Sequence, residues 1–167
     1  QFDIAGDERP ILVLQHPETT RPRDHYADMC GVLHAVIERR RRTLVVYPCS
    51  DHGYGGIVRA IQEVADRPGV SVHRNIDAPD FWGLMAIGAV MVGNSSAGLI
   101  ETPYFNLPAV NVGERQHGRL HAENVSHCEP DRQAVARALS TALEDPAFIA
   151  RAERCGRPFG DGRAGER

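Results

Sequence analysis

The stretch Ala89-Val90-Met91-Val92-Gly93-Asn94-Ser95-Ser96-Ala97-Gly98-Leu99-Ile100-Glu101 decides the fold. An apolar run opens into a loop of small polar residues, and a helical pattern follows directly. The apolar part is continuous rather than alternating, which is what a strand covered on both faces requires. Runs of the same kind lie at 11–15, 43–47, 70–73 and 109–112. Amphipathic patterns fill the gaps. Positions 23–42 place Tyr26, Met29, Cys30, Leu33 and Ile37 on one helical face, and 56–65 do the same for Ile57, Ile61 and Val64. Further helices are expected over 80–87, 97–105 and 131–144. Strand and helix in alternation predict an α/β domain built on an open, doubly wound parallel sheet of Rossmann-like type. No repeat, low-complexity tract or linker divides the chain, so residues 1–167 read as one domain.

Composition narrows the function classes. The 167 residues are 42% apolar and 25% charged, with a formal net charge of −3. That balance argues against a nucleic-acid binder or an anionic-membrane binder. All 19 basic residues are arginine. Without lysine, neither a Schiff-base enzyme nor a phosphate-loop lysine is available. The longest run without a charge or a strong break spans about 82–94, too short for a bilayer, and the first residues lack a signal-peptide layout. A cytoplasmic location is therefore expected. Of the 4 cysteines none form a C-x-x-C pair, and Cys30 and Cys49 read as reduced, partly buried thiols. His117 and His121 have ligand-like spacing, but Gly118 separates them and no carboxylate completes a zinc motif, so no metal is expected. Arg39-Arg40-Arg41-Arg42 reads as a solvated helix end. A polar leader precedes Ile11. The ending Gly160-Asp161-Gly162 before 163–167 reads as a turn opening a helix, so a piece of a longer chain is expected.

Ligands of open parallel sheets bind beyond the carboxyl ends of the strands. Here those ends carry His16, Pro17 and Glu18; Cys49, Ser50, Asp51 and His52; Arg74 and Asn75; Asn94, Ser95 and Ser96; and Glu114, Arg115 and Gln116. The Gly93–Gly98 segment suits an anion, because small residues let backbone amides approach and a helix start favours negative charge. Its serines equally suit a helix cap. Glu101 fits either a dipole partner or an acceptor for a ribose diol. Arg115 offers a planar fork for a diphosphate, or is a plain surface arginine. His16 ends a buried strand and is fixed by Pro17; a turn histidine and a catalytic one both fit.

The segments Leu14-Gln15-His16-Pro17-Glu18-Thr19-Thr20, Val92-Gly93-Asn94-Ser95-Ser96-Ala97-Gly98-Leu99-Ile100-Glu101 and Val112-Gly113-Glu114-Arg115-Gln116-His117-Gly118-Arg119 resemble the hydrolysing UDP-N-acetylglucosamine 2-epimerases. Ala122-Glu123-Asn124-Val125 and Phe159-Gly160-Asp161-Gly162 extend the resemblance along the chain. It implies the C-terminal domain of a two-domain, glycosyltransferase-B-like fold. In that reading the chain lacks the N-terminal domain and the last helix.

The resemblance also implies roles. Ser95, Ser96, Ala97 and Gly98 would hold the UDP diphosphate with Arg115, and Glu101 would bind the ribose. Arg74, Asn75 and Ile76 would line the uracil, and His16 would assist proton transfer beside the departing diphosphate. Asp51 and Arg119 are further candidates. The implied reaction eliminates UDP from UDP-N-acetylglucosamine, then adds water to release N-acetylmannosamine, with no cofactor. The C2 proton is not acidic, so loss of UDP must lead. The carboxylates acting at C2 would belong to the N-terminal domain, leaving the isolated chain inactive. The implied partners are UDP, a UDP-amino sugar, that domain and further copies of the full-length protein. Two alternatives share the UDP cradle: a glycosyltransferase domain of the same fold, and a UDP-binding regulatory domain without chemistry. Two features depart from the family pattern. The loop Pro48-Cys49-Ser50-Asp51-His52-Gly53 stands where Asn-x-Asp-x-Gly is more usual, and Glu18 replaces a small apolar residue.

Overall fold

A computed structural model describes residues 2–20 and 22–161. The helix expected to begin at 162–167 lies outside the described residues. Six strands form one sheet: β1 (Ile11–Leu14), β2 (Thr43–Val46), β3 (Val70–His73), β4 (Val90–Gly93), β5 (Ala109–Val112) and β6 (Val125–Cys128). All pairings are parallel and the order is β3-β2-β1-β4-β5-β6. The strand order reverses between β1 and β4, so the crevice that such sheets offer to ligands opens there.

Side chains alternate across the sheet, and helices cover both faces. On one face Ile11, Val13, Val45, Val90, Val92, Val110 and Val112 pack against α1 (His25–Ile37), α2 (Tyr54–Gln62) and α5 (Arg132–Glu144). On the other, Leu12, Leu44 and Met91 meet Leu84 and Met85 of α3 (Ala78–Ile87) and Ala97 of α4 (Ala97–Ile100). Asp24 caps α1 by accepting the Tyr26 and Ala27 amides, and Asp131 caps α5 through Gln133 and Ala134. No helix among the described residues is long and apolar enough to cross a membrane.

Four details differ from the sequence reading. β6 was not expected, because it is an edge strand whose residues run from buried Val125 to exposed His127 and so carry no continuous apolar signal. Helix α6 (Pro146–Glu153) was also missed, although Asp145 followed by Pro146 is a start signal; the Asp145 side chain accepts the Ala147 amide at 2.8 Å. The helix expected over 97–105 is instead α4 followed by a 3₁₀ turn, Thr102–Phe105. Finally, α1 stops at Ile37 rather than 42, because the Arg42 carbonyl accepts the Ile11 amide at the head of the sheet. The arginine run is accordingly not one solvated helix end. Arg39 donates to the Ala136 carbonyl, to Ser140 and to Glu144, and Arg42 donates to the Phe2 carbonyl, while Arg40 and Arg41 are exposed.

Candidate functional site

The site starts from the register of two strands. In the β1–β4 pairing Leu14 lies opposite Gly93, so the segments that leave these strands begin side by side. Gly93 has φ 135°, and a Cβ there would overlap the Leu14 carbonyl, so only glycine fits this close approach. Asn94 follows and is fully buried. Its Oδ1 accepts the His16 amide at 2.7 Å, and its Nδ2 donates to the His16 carbonyl at 2.9 Å. One side-chain amide thus fastens both backbone groups of His16, which fixes the amide's orientation as well. The Asn94 carbonyl accepts Gln116 Nε2 at 2.7 Å and Arg115 Nη1 at 3.5 Å. Three strand ends are therefore joined through one residue.

The His16 ring is held as firmly as its backbone. Its Nδ1 accepts the Cys49 amide at 3.0 Å, which leaves the neutral ring's proton on Nε2. Burial, reinforced by the positive charge of Arg115 and opposed by Asp51, lowers its pKa from 6.5 to about 4. At neutral pH His16 is an uncharged imidazole that offers one N–H. Protonating Nδ1 would break the Cys49 bond, whereas hydrogen-bond donation from Nε2 requires no change.

Arg115 leans on Asp51, with Nη2 to Oδ2 at 3.7 Å, and Asp51 also accepts the Cys49 thiol at 3.1 Å. That ion pair is long and about one-third to one-half exposed, so it holds Arg115 only weakly. Arg119 reaches the cluster through Gln116, donating to Oε1 at 2.9 Å. The loop carrying Arg115 is anchored from below. Glu18 is buried, and its Oε1 accepts the Glu114 amide at 2.7 Å. Gly113 has φ 81°, and a Cβ there would run into the Glu18 carboxylate. Glu18 thus serves as a loop anchor.

The two serines differ in burial and in partners. Ser95 is buried and its Oγ accepts the Ala97 amide at 3.3 Å, a local turn bond one residue ahead of the N-cap position, which Ser96 holds without a capping bond. The half-buried Ser96 hydroxyl makes no hydrogen bond among the described residues. With only four residues, α4 contributes little dipole, so an anion here would be met by amides and hydroxyls instead. Glu101 lies at the C-cap of α4, not in a first helical turn, and its Oε2 accepts the Trp82 indole N–H at 2.7 Å. It is at the same time the N-cap residue of the 3₁₀ turn Thr102–Phe105, to which its side chain gives no capping hydrogen bond. Arg74 and Asn75 are exposed beyond β3, and Ile76 packs against the cluster under α3. No hydrogen bond or ion pair among the described residues ties these three to the Asn94 network.

Sequence reasoning missed Asn94, Gln116 and Trp82 as organising residues. The first lay inside a motif already singled out, but its partner could be known only from the adjacency of β1 and β4. A cleft of about 630 Å³ opens beyond β5 and β6. Of the residues assigned to UDP it takes in Arg119 alone, together with Glu114 and Gln116 of the β5 strand end. His121 and His127 face each other there, Nε2 to Nε2 at 3.3 Å. Among the described residues no group of three or more His, Cys, Asp or Glu side chains is placed to hold a metal ion.

The family model for UDP-N-acetylglucosamine 2-epimerase matches residues 2–167. The chain belongs to that family. It is similar to the hydrolysing UDP-N,N'-diacetylbacillosamine 2-epimerase of Legionella pneumophila, with 32% identity over 167 residues. That match covers 100% of this chain and 43% of the relative. It is also similar to the hydrolysing GDP/UDP-N,N'-diacetylbacillosamine 2-epimerase of Campylobacter jejuni, 26% identical over 131 residues, covering 77% of the chain and 34% of the relative. In fold it resembles the crystal structure of the Neisseria meningitidis UDP-GlcNAc 2-epimerase bound to UDP-GlcNAc, with a TM-score of 0.79 at 14% identity. That match covers 98% of this chain and 44% of the other. The chain spans less than half the length of each relative. In this member of the family, the His16 and Asn94 segments meet at the sheet's switch point, the place where open parallel sheets bind their ligands.

Proposed function

We propose that the chain is the UDP-binding half of a hydrolysing 2-epimerase, acting on a UDP-linked 2-acetamido sugar of the kind its relatives' names describe. One observation carries the reading: buried Asn94 latches His16 against the Gly93–Gly98 segment and hangs Arg115 and Gln116 from the same carbonyl. A rigid imidazole N–H, a free hydroxyl and a loosely held arginine are the donor types that suit a diphosphate, and all three belong to segments that leave neighbouring strands.

In this assignment Ser96, the backbone amides of Ala97 and Gly98, and Arg115 hold the diphosphate. Ser95 shapes the loop through its bond to Ala97. Arg115 exchanges its weak partner Asp51 for phosphate oxygens, and Arg119 steadies Gln116 behind it. Glu101 accepts the ribose hydroxyls. Arg74, Asn75 and Ile76 line the base where the backbone enters α3. When the C1–O bond breaks, negative charge grows on the departing β-phosphate. Donors already aimed there lower the barrier without rearranging. His16 contributes its Nε2 hydrogen and gives up no proton of its own, because its Nδ1 stays occupied by the Cys49 amide.

The proton transfers at C2 are assigned to residues outside this chain, and so is the choice between N-acetylglucosamine and diacetylbacillosamine. A cytoplasmic, oligomeric full-length enzyme belongs to the same proposal. Backbone NMR tests the placement. Adding UDP is expected to shift the amides of 94–98, 113–116 and 101 before those at the opposite, amino-terminal ends of the strands. Shifts confined to other surfaces would refute the assignment.

A further inference from the structure

Trp82 is the only tryptophan of the chain, and it is 46% exposed on α3. An exposed indole has little reason to be ordered unless its N–H is engaged. Here it donates to Glu101 Oε2 at 2.7 Å, a short hydrogen bond to an ionised acceptor. Glu101 sits where α4 gives way to the 3₁₀ turn, with φ −97° and ψ −40°. That junction offers its carboxylate no other partner among the described residues. The indole is therefore what sets the direction of the carboxylate.

A carboxylate presents about four lone-pair positions. One indole occupies one of them, so the two hydroxyls of a cis-diol can still be accepted side by side. Trp82 also connects two parts of the rim. Helix α3 begins directly after Arg74, Asn75 and Ile76, with Asp77 as its N-cap residue. The indole bond ties that helix to the Glu101 junction on the far side of β4. The apolar packing of α3 against α4 and the 3₁₀ turn sets the spacing between the wall offered to the base and the acceptor offered to the sugar, and the indole N–H fixes the carboxylate within it.

We propose that Trp82 is a positioning residue for nucleotide recognition: it orients the Glu101 carboxylate toward a ribose diol and so sets the preference for ribo- over 2′-deoxyribonucleotides. This inference rests on the assignment of Glu101 to the ribose. It goes further in naming the group that aims the carboxylate and the selectivity that results.

The experiment compares UDP with 2′-deoxy-UDP by calorimetric titration of the 167-residue chain, its Trp82→Phe variant and its Glu101→Gln variant. Circular dichroism confirms that each is folded. Phenylalanine keeps the ring and removes the N–H. The parent is expected to prefer UDP, and Glu101→Gln to lose most of that preference. Trp82→Phe should weaken UDP binding about three- to tenfold while leaving 2′-deoxy-UDP nearly unchanged, the range expected from loosening one charge-assisted hydrogen bond. In the parent, UDP should also alter Trp82 fluorescence, and that response should shrink in Glu101→Gln. If Glu101→Gln loses the preference and Trp82→Phe keeps it in full, the positioning role is overturned while the ribose assignment stands. Tighter UDP binding by Trp82→Phe would show that the indole competes with the ribose, and would overturn the proposal in the same way. If Glu101→Gln keeps the preference, the ribose assignment itself fails, and the role of Trp82 fails with it.

Discussion

Replacing Asn94 by alanine removes the contacts on which the site depends. The backbone carbonyl that receives Gln116 and Arg115 survives, but the two side-chain bonds to His16 are lost. The His16 amide and carbonyl are partly buried, so water satisfies them only in part. Each unpaired group costs about 1–3 kcal/mol, with the lower half of the range appropriate where water can enter. The summed loss is about 2–4 kcal/mol. For a chain of this size each kcal/mol moves Tm by about 2–4 °C, so a fall of roughly 5–15 °C is expected. Urea unfolding followed by circular dichroism reads the same quantity as a lower midpoint at unchanged slope. UDP affinity should fall in parallel, because the His16 ring and the Gly93–Gly98 segment lose their common anchor. A destabilisation below about 0.5 kcal/mol, the range of ordinary surface substitutions, would refute the latch.

Other outcomes follow from the same geometry. Ser95→Ala should cost up to about 1 kcal/mol of stability, since it removes the acceptor of the Ala97 amide. Ser96→Ala should leave stability within about 0.5 kcal/mol yet weaken UDP binding; the reverse pattern in paired melting and titration experiments would exchange their assigned roles. The His16 ring should titrate near pH 4 in the free chain by NMR, not near 6.5. Its folded pKa lies below the unfolded value, so the unfolded chain binds the extra proton first. This group therefore lowers stability as pH falls from 6.5 toward 4, and a stability rising over that window would contradict its burial as the neutral form. Gly93→Ala should cost about 3 kcal/mol or more, because positive φ and overlap with the Leu14 carbonyl act together; near-normal melting would show that β1 and β4 can separate there.

The inner strands were legible because burial on both faces writes a plain apolar run, as at Ile11–Leu14 and Val90–Gly93. The edge strand Val125–Cys128 was not, since half of it faces solvent. The residue types of the site were legible too: glycine, serine, histidine and arginine collect at strand ends for reasons of access and charge. Their partners were not. Asn94 meets His16 only because β1 and β4, distant in sequence, are neighbours in the sheet, and Trp82 meets Glu101 only because α3 and α4 pack on the same face of that sheet. The same limit applies to His16, whose chemistry is set by the amide of Cys49 on the neighbouring strand's loop.

The central claim is a diphosphate cradle between β1 and β4, and its most direct test is calorimetric titration of the folded chain with UDP, UMP and uridine. UDP is expected to bind clearly, with affinity falling at each phosphate removed and falling again in Ser96→Ala. Equal affinity for UDP and uridine, or no binding of UDP by the folded chain, would contradict it.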